Sequence, residues 1–135
     1  MDTSIVREWL HQVERDLLSA LNCARAPDPT TDRAAFLIQQ AAEKLVKAAS
    51  VAHGIEFRWT HDIAELVDAL PADASERAAM APLARFTGYA TAFRYPSDQQ
   101  EEPLPAVADI EAWAREIDIL KLDFERWLGE RAGEG

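Results

Sequence analysis

Apolar residues recur every three or four positions along four long stretches of the chain, which is the spacing of helices that bury one face. These stretches run from Thr3 or Ser4 to about residue 25, and over about residues 32–53, 75–93 and 106–128. In the second stretch the apolar positions are mostly alanines, which permit close approach between helices. The pattern therefore predicts an all-α protein.

Proline and glycine mark where these helices end. Pro27 and Pro29 follow the first, and Gly54 follows the second. Between the second and third long helices, Thr60 is a candidate N-cap for a short helix of about ten residues that ends at Pro71. The expected architecture is an antiparallel up-and-down four-helix bundle with one additional short helix.

Length and composition fit one domain. The chain has 135 residues, of which 48% are hydrophobic and 28% charged, and this usage is ordinary for a globular fold. We expect a single helical domain over residues 1–128 and a flexible C-terminal tail over residues 129–135, which holds three of the five glycines.

The acidic balance limits the ligands that the domain can take. The chain carries 24 acidic and 14 basic residues, with a formal net charge of -10. Because neutralised phosphates supply most of the affinity for long polynucleotides, tight constitutive binding of such a polymer is disfavoured. A small anion site remains compatible with this charge.

Several features predict a cytoplasmic protein without a membrane role. Cys23 is the single cysteine, so no internal disulfide forms, and we expect it to be a small buried hydrophobe. The first residues lack a basic start followed by an apolar run, and no apolar segment approaches the ~20 residues that span a bilayer.

Three landmarks lie in order along the predicted helices. Positions 39–48 read QQAAEKLVKA, positions 60–63 read THDI, and positions 94–96 read RYP. Trp9 and Asp16 add a W-x(6)-D spacing on the first helix. Over roughly residues 5–128 this series resembles the HEPN family (higher eukaryotes and prokaryotes nucleotide-binding), especially the type that accompanies minimal nucleotidyltransferases.

The resemblance implies an antiparallel four-helix fold that often forms a homodimer. Members of the family bind nucleotides, act as toxin or partner beside a minimal nucleotidyltransferase, or cleave RNA without a metal. The ribonuclease members use an arginine followed four to six residues later by a histidine.

This sequence departs from the ribonuclease pattern after Arg94. The positions where the histidine would fall hold Gln99, Gln100 and Glu101, and all three histidines of the chain lie upstream. Glutamine cannot exchange a proton near neutral pH as histidine does. We therefore expect no efficient catalysis. In the alternative of a ribonuclease toxin with a degenerate motif, Arg94 would act with His61 or Tyr95.

The candidate anion-binding residues are Arg94, Lys47 and Lys44. Asp16 and Glu43 would hold these cations in place, with Lys121 or Arg94 as the expected partner of Asp16. The alternative for Glu43, Lys44 and Lys47 is a solvated or dimer-facing stripe with i,i+4 pairing.

Three further aromatic or histidine features have two interpretations each. His61, near the start of the short helix, is expected to be neutral and to help cap it. Tyr95 either stacks on a base or seals the end of the bundle. Phe36, Phe57 and Trp59 predict an apolar patch, more often a dimer interface than a ligand site.

Metal and cofactor motifs are missing from the sequence. It holds no paired cysteines, no histidine pair at metal-ligand spacing and no glycine-rich phosphate loop. The leading hypothesis is a module that binds a small nucleotide or a partner such as a minimal nucleotidyltransferase. A purely structural dimerising bundle is the third alternative.

Overall fold

Helices account for all the regular structure in the part of the chain that the computed structural model describes, residues 2–57, 59–90 and 103–134. The elements, in chain order, are α1 (Ser4–Arg25), α2 (Thr31–Ala52), α3 (Ile63–Asp68), α4 (Ser75–Met80), the 3₁₀ segment η1 (Ala81–Ala90) and α5 (Val107–Glu134). The predicted all-α class is confirmed.

The hydrophobic core forms around α2. α1 packs along α2 over most of its length, α5 packs against both, and η1 contacts α2 and α3. The alanines of α2 let the neighbouring backbones approach closely, and they are fully buried: Ala34, Ala35, Ala41, Ala42, Ala48 and Ala49. Larger side chains such as Val13, Ile38 and Ile117 fill the spaces between the helices.

The short helix starts later than the sequence predicted. α3 spans six residues, Ile63–Asp68, and its N-cap is Asp62, whose carboxylate accepts the amide N–H of Glu65 at 3.4 Å. Thr60 lies outside the helix, where its hydroxyl accepts the amide N–H of Asp62 at 3.0 Å. Thr60 therefore supports the cap instead of forming it.

The helix predicted over residues 75–93 is also different. It is α-helical only to Met80 and continues as the 3₁₀ segment η1 to Ala90. Pro82 explains the change, because proline lacks the amide hydrogen that an α-helix needs and its ring clashes with the carbonyl one turn earlier. Residues 91–93 lie outside the described residues.

The last helix is longer than predicted. It begins at Val107 and reaches Glu134, six residues past the expected end at Leu128. Gly129 and Gly133 lie inside it, although each glycine costs a helix about 1 kcal/mol relative to alanine.

Lys121 of α5 joins this helix to α1. Its buried ammonium donates to Glu14 of α1 and to Glu125, each at 2.9 Å. Burial works against its positive charge, but these two hydrogen bonds and carboxylates outweigh that effect and raise the pKa of Lys121. The predicted pairing of Lys121 with Asp16 is therefore wrong.

None of the described helices has both the length and the apolar content that crossing a membrane requires.

Candidate functional site

The carboxylate of Glu43, on α2, is the centre of a buried polar group. Its Oε2 accepts a hydrogen bond from Lys47 Nζ at 2.8 Å. Its Oε1 accepts from Gln39 Nε2 at 3.0 Å and bonds His61 Nδ1 at 2.9 Å. We call these four residues the Glu43 cluster. Both carboxylate oxygens are thus satisfied although the side chain is only 4% exposed.

The cluster keeps Glu43 ionised. Burial alone would raise the pKa of a carboxyl group, because it penalises the charged form. The hydrogen bonds from Lys47, His61 and Gln39 and the charge of Lys47 outweigh burial, and the pKa of Glu43 is lowered. Glu43 therefore carries its negative charge throughout the neutral range.

Helical spacing explains why three of the four residues meet. Gln39, Glu43 and Lys47 lie four residues apart on α2, so their side chains line one face of it. Gln40 extends the network by donating to Gln39 Oε1 at 2.8 Å. The alternative of a solvated stripe is wrong for Glu43 and Lys47, because both are buried.

Three aromatic rings lie close to the Lys47 ammonium. Its Nζ lies 5.8 Å from the ring centroid of Trp9, 5.4 Å from that of Phe57 and 5.3 Å from that of Trp59. Such distances are those of cation–π contacts. Lys47 is therefore held inside the protein by a carboxylate and three rings and does not present its charge to solvent.

Two side chains at the Glu43 cluster face solvent: His61, which belongs to the cluster, and Trp59, which contacts Lys47. The side chain of His61 is 74% exposed, and Trp59 is 89% exposed. Because His61 Nδ1 is engaged with the buried Glu43, Nε2 is the ring nitrogen available to a ligand. The exposed indole therefore contacts Lys47 and the imidazole contacts Glu43, the two members of one ion pair, and the bond to Glu43 fixes the orientation of the imidazole.

Asp16 and Lys44 form a second ion pair, between α1 and α2. Lys44 Nζ donates to Asp16 Oδ2 at 2.8 Å, and both side chains are largely buried. The sequence named Lys121 or Arg94 as the partner of Asp16, whereas the cation that the structure places there is Lys44, one of those that Asp16 and Glu43 were expected to hold. The expected alternative partner Arg94, like Tyr95, lies outside the described residues.

An open cavity of about 500 Å³ lies next to the cluster, along α1. Trp9 lines it and also contacts Lys47, so the cavity and the cluster share a wall. The other described lining residues are polar or charged: Ser4, Arg7, Glu8, His11 and Gln12. Sequence reasoning assigned no role to Arg7 or His11, because both lie on the exposed face of a helix.

The predicted aromatic patch is partly brought together. Phe57 and Trp59 both contact Lys47, and Phe57 packs edge-on against Trp9 with centroids 5.9 Å apart. Phe36 is half-buried on α2. Among the described residues, no group of histidine, cysteine or acidic side chains has the arrangement of a metal site.

Comparison with known proteins defines the class of this helical domain. The profile of the HEPN domain matches residues 6–121, nearly the whole chain, so the protein belongs to the HEPN family, whose modules are of the nucleotide-binding and ribonuclease type. The family resemblance seen in the sequence is confirmed.

A solved structure supports the same assignment. The crystal structure of ST0689, an archaeal HEPN homologue, is similar with a TM-score of 0.63 and 25% sequence identity, and the match covers 93% of this chain and 96% of that one. Among curated proteins, none matches this chain.

Proposed function

We propose that this HEPN domain binds a small nucleotide at the surface formed by Trp59 and His61, without efficient catalysis. The observation that carries the proposal is the exposure of Trp59, 89%, directly over the buried Lys47. The Trp59 indole is exposed to solvent and contacts Lys47, so it offers a flat apolar face to a ligand. Stacking a base on such a face contributes about 1–3 kcal/mol.

The Glu43 cluster holds the side chains of this surface in place. Lys47 holds the Trp59 ring by a cation–π contact, and Glu43 holds both Lys47 and His61. Preorganised side chains bind more tightly because less conformational freedom is lost on association. In this proposal Lys47 therefore positions the site, and the anion-binding role that we predicted for it is indirect.

The other two predicted anion-binding residues, Lys44 and Arg94, have smaller roles in the proposal. Lys44 is already paired with Asp16, so we assign it to the seam between α1 and α2. Arg94 keeps the anion-binding role that the RYP landmark implies, with Tyr95 beside it. We expect the domain to adopt the antiparallel four-helix bundle of the family.

Catalysis is disfavoured by the residues at hand. Metal-independent RNA cleavage needs groups that give and take a proton, and the histidine of the R-x(4-6)-H motif is replaced by glutamine or glutamate. The degenerate ribonuclease using Arg94 with His61 or Tyr95 remains an outcome of the tests below.

Nucleotide titration tests the proposal. Tryptophan fluorescence and calorimetry would follow adenine and guanine nucleotides added to the wild type and to Trp59→Ala, Trp59→Phe and Leu18→Ala. We expect Trp59→Ala to lose about tenfold in affinity and Trp59→Phe to lose less, because a ring remains for stacking. Leu18, also exposed but lining a different cavity, is the matched control.

Two outcomes would refute the proposal. Failure of every nucleotide to bind at millimolar concentration would remove it. Cleavage of added RNA by the wild type, lost in Arg94→Ala, would replace it with the ribonuclease alternative.

A protein partner is the second candidate function. Exposed apolar side chains favour it, since Trp59, Leu18, Ile119 and Leu122 are all about half or more exposed. The expected partners are a minimal nucleotidyltransferase and a second copy of the chain. Light scattering on the purified protein tests the homodimer, and co-purification from the native cell, compared between wild type and Trp59→Ala, tests the heterologous partner.

A further inference from the structure

We infer that Nε2 of His61 binds the phosphate group of the nucleotide as the N–H donor of a protonated ring. The inference rests on the proposed function, because it names the ligand group that lies beside the base stacked on Trp59. It identifies the ligand class as a nucleoside phosphate, as distinct from a nucleoside.

The orientation of the imidazole is the first step. His61 Nδ1 lies 2.9 Å from Oε1 of Glu43, and that carboxylate is itself held by Lys47 and Gln39. An ionised carboxylate only accepts hydrogen bonds, so Nδ1 must carry a hydrogen. Glu43 is kept ionised by its lowered pKa.

The state of Nε2 follows from that tautomer. In a neutral ring with hydrogen on Nδ1, Nε2 has a lone pair and no hydrogen, so it cannot donate to a phosphate oxygen. Protonation of Nε2 creates a charged N–H donor, and charge-assisted bonds to phosphate are about twice as strong as neutral ones. The proton comes from solvent, and no covalent bond changes elsewhere.

The charges near His61 also favour phosphate binding by the protonated ring. Glu43 and Lys47 cancel each other at 2.8 Å, and Lys47 is enclosed by rings. The chain that follows His61 is acidic: Asp62, the next residue, caps α3, and Glu65 lies in its first turn. Protonation of His61 therefore adds a positive charge beside two carboxylates that would otherwise repel a phosphate.

The test compares three ligands across the range from about pH 5.5 to about pH 8, in which histidine changes charge. Adenosine lacks the anion, and adenosine 5′-sulfate keeps a single constant charge. Adenosine 5′-monophosphate represents the proposed ligand class, but its phosphate also titrates near pH 6. Calorimetry in two buffers with different enthalpies of ionisation would count the protons taken up on binding.

We expect the affinity for adenosine 5′-sulfate to fall at least about tenfold from the acid to the alkaline end, while that for adenosine stays constant. His61→Gln should remove this dependence and the proton uptake. Because His61 is mostly exposed, the variant should fold, which circular dichroism would check.

His11→Gln is the matched control, because His11 is another exposed histidine and lines the neighbouring cavity. Loss of the pH dependence in His11→Gln but not in His61→Gln would overturn the inference. So would pH-independent binding of the sulfate by the wild type, although nucleotide binding itself would then stand. If adenosine, the sulfate and the monophosphate all fail to bind, the proposed function and this inference fall together.

Discussion

Lys47 Nζ lies 2.8 Å from Glu43 Oε2, one turn away on α2, and each side chain is only 4% exposed. An i,i+4 ion pair on a helix surface contributes about 0.3–0.5 kcal/mol. Here the pair is buried, so losing one member leaves an uncompensated charge, which costs about 3–5 kcal/mol. The same spacing therefore has a much larger consequence for stability than it would have on an exposed face.

The first prediction concerns this pair. Lys47→Met should lower the free energy of unfolding by about 3 kcal/mol or more, because Glu43 stays buried without its ammonium partner. Adding Glu43→Gln to Lys47→Met should restore part of the loss, since the buried charge is removed. Urea denaturation of the two single variants and the double variant measures the coupling. Strictly additive losses would contradict the buried ion pair.

The second prediction is the pH dependence that Glu43 brings. Its folded-state pKa is lowered, so its stabilisation is present above the ordinary glutamate value of 4.5 and is lost as the pH falls through the lower, folded-state value. The free energy of unfolding should therefore decline more steeply with acidity in the wild type than in Glu43→Gln. Denaturation midpoints measured from neutral pH down to about pH 3 would test this. Parallel curves would count against it.

The third prediction compares two interhelical ion pairs. Asp16–Lys44 is mostly buried, whereas Arg25–Glu111 joins α1 to α5 at the surface, with side chains 58% and 42% exposed. Double-mutant cycles with Asp16→Asn and Lys44→Met should give a coupling of about 1 kcal/mol or more, and the surface pair about 0.5 kcal/mol or less. Added salt should weaken the surface pair more. Equal couplings would show that burial of Asp16 does not strengthen its bond.

The fourth prediction uses two glycines of different conformation. Gly129 lies inside α5, and an added Cβ would meet nothing within 4 Å. Gly129→Ala should therefore stabilise the protein by up to about 1 kcal/mol. Gly54, after α2, has a φ of 71°, which suits glycine, so Gly54→Ala should destabilise by about 1 kcal/mol. Thermal unfolding of both variants measures the two signs, and a gain in Gly54→Ala would contradict the backbone argument.

The positions of α1, α2 and α5, and the lengths of α1 and α2, follow from the sequence because helical periodicity is a local property. Val13, Ile38 and Ile117 each belong to an apolar repeat that predicts their burial, and all three are fully buried. Helix ends were less predictable, because Asp62 and Thr60 are both good caps and the choice depends on the packing of the residues around them. Pro82, inside the stretch predicted as one helix over residues 75–93, is incompatible with a continuous α-helix, but the pattern did not indicate that the chain continues as a 3₁₀ helix.

The candidate site shows where local information stops. The spacing of Gln39, Glu43 and Lys47 on one helix face is written in the sequence, and so is the family resemblance of the segment that contains them. Whether that face meets water or protein depends on Phe57, Trp59 and His61, which contact Lys47 and Glu43 of α2. Because these residues cover it, the Glu43–Lys47 pair is buried, and it holds the side chains of the candidate site in place.

Partner choice is likewise a tertiary property. The sequence by itself determined the all-α class, the family and the need of Asp16 for a cation, since these follow from periodicity, ordered landmarks and the cost of burying a lone charge. It did not determine that Lys44 meets Asp16 while Lys121 meets Glu14, nor that Glu43 fixes the ring of His61. Those pairings depend on the relative rotation and offset of whole helices, which only the packed core sets.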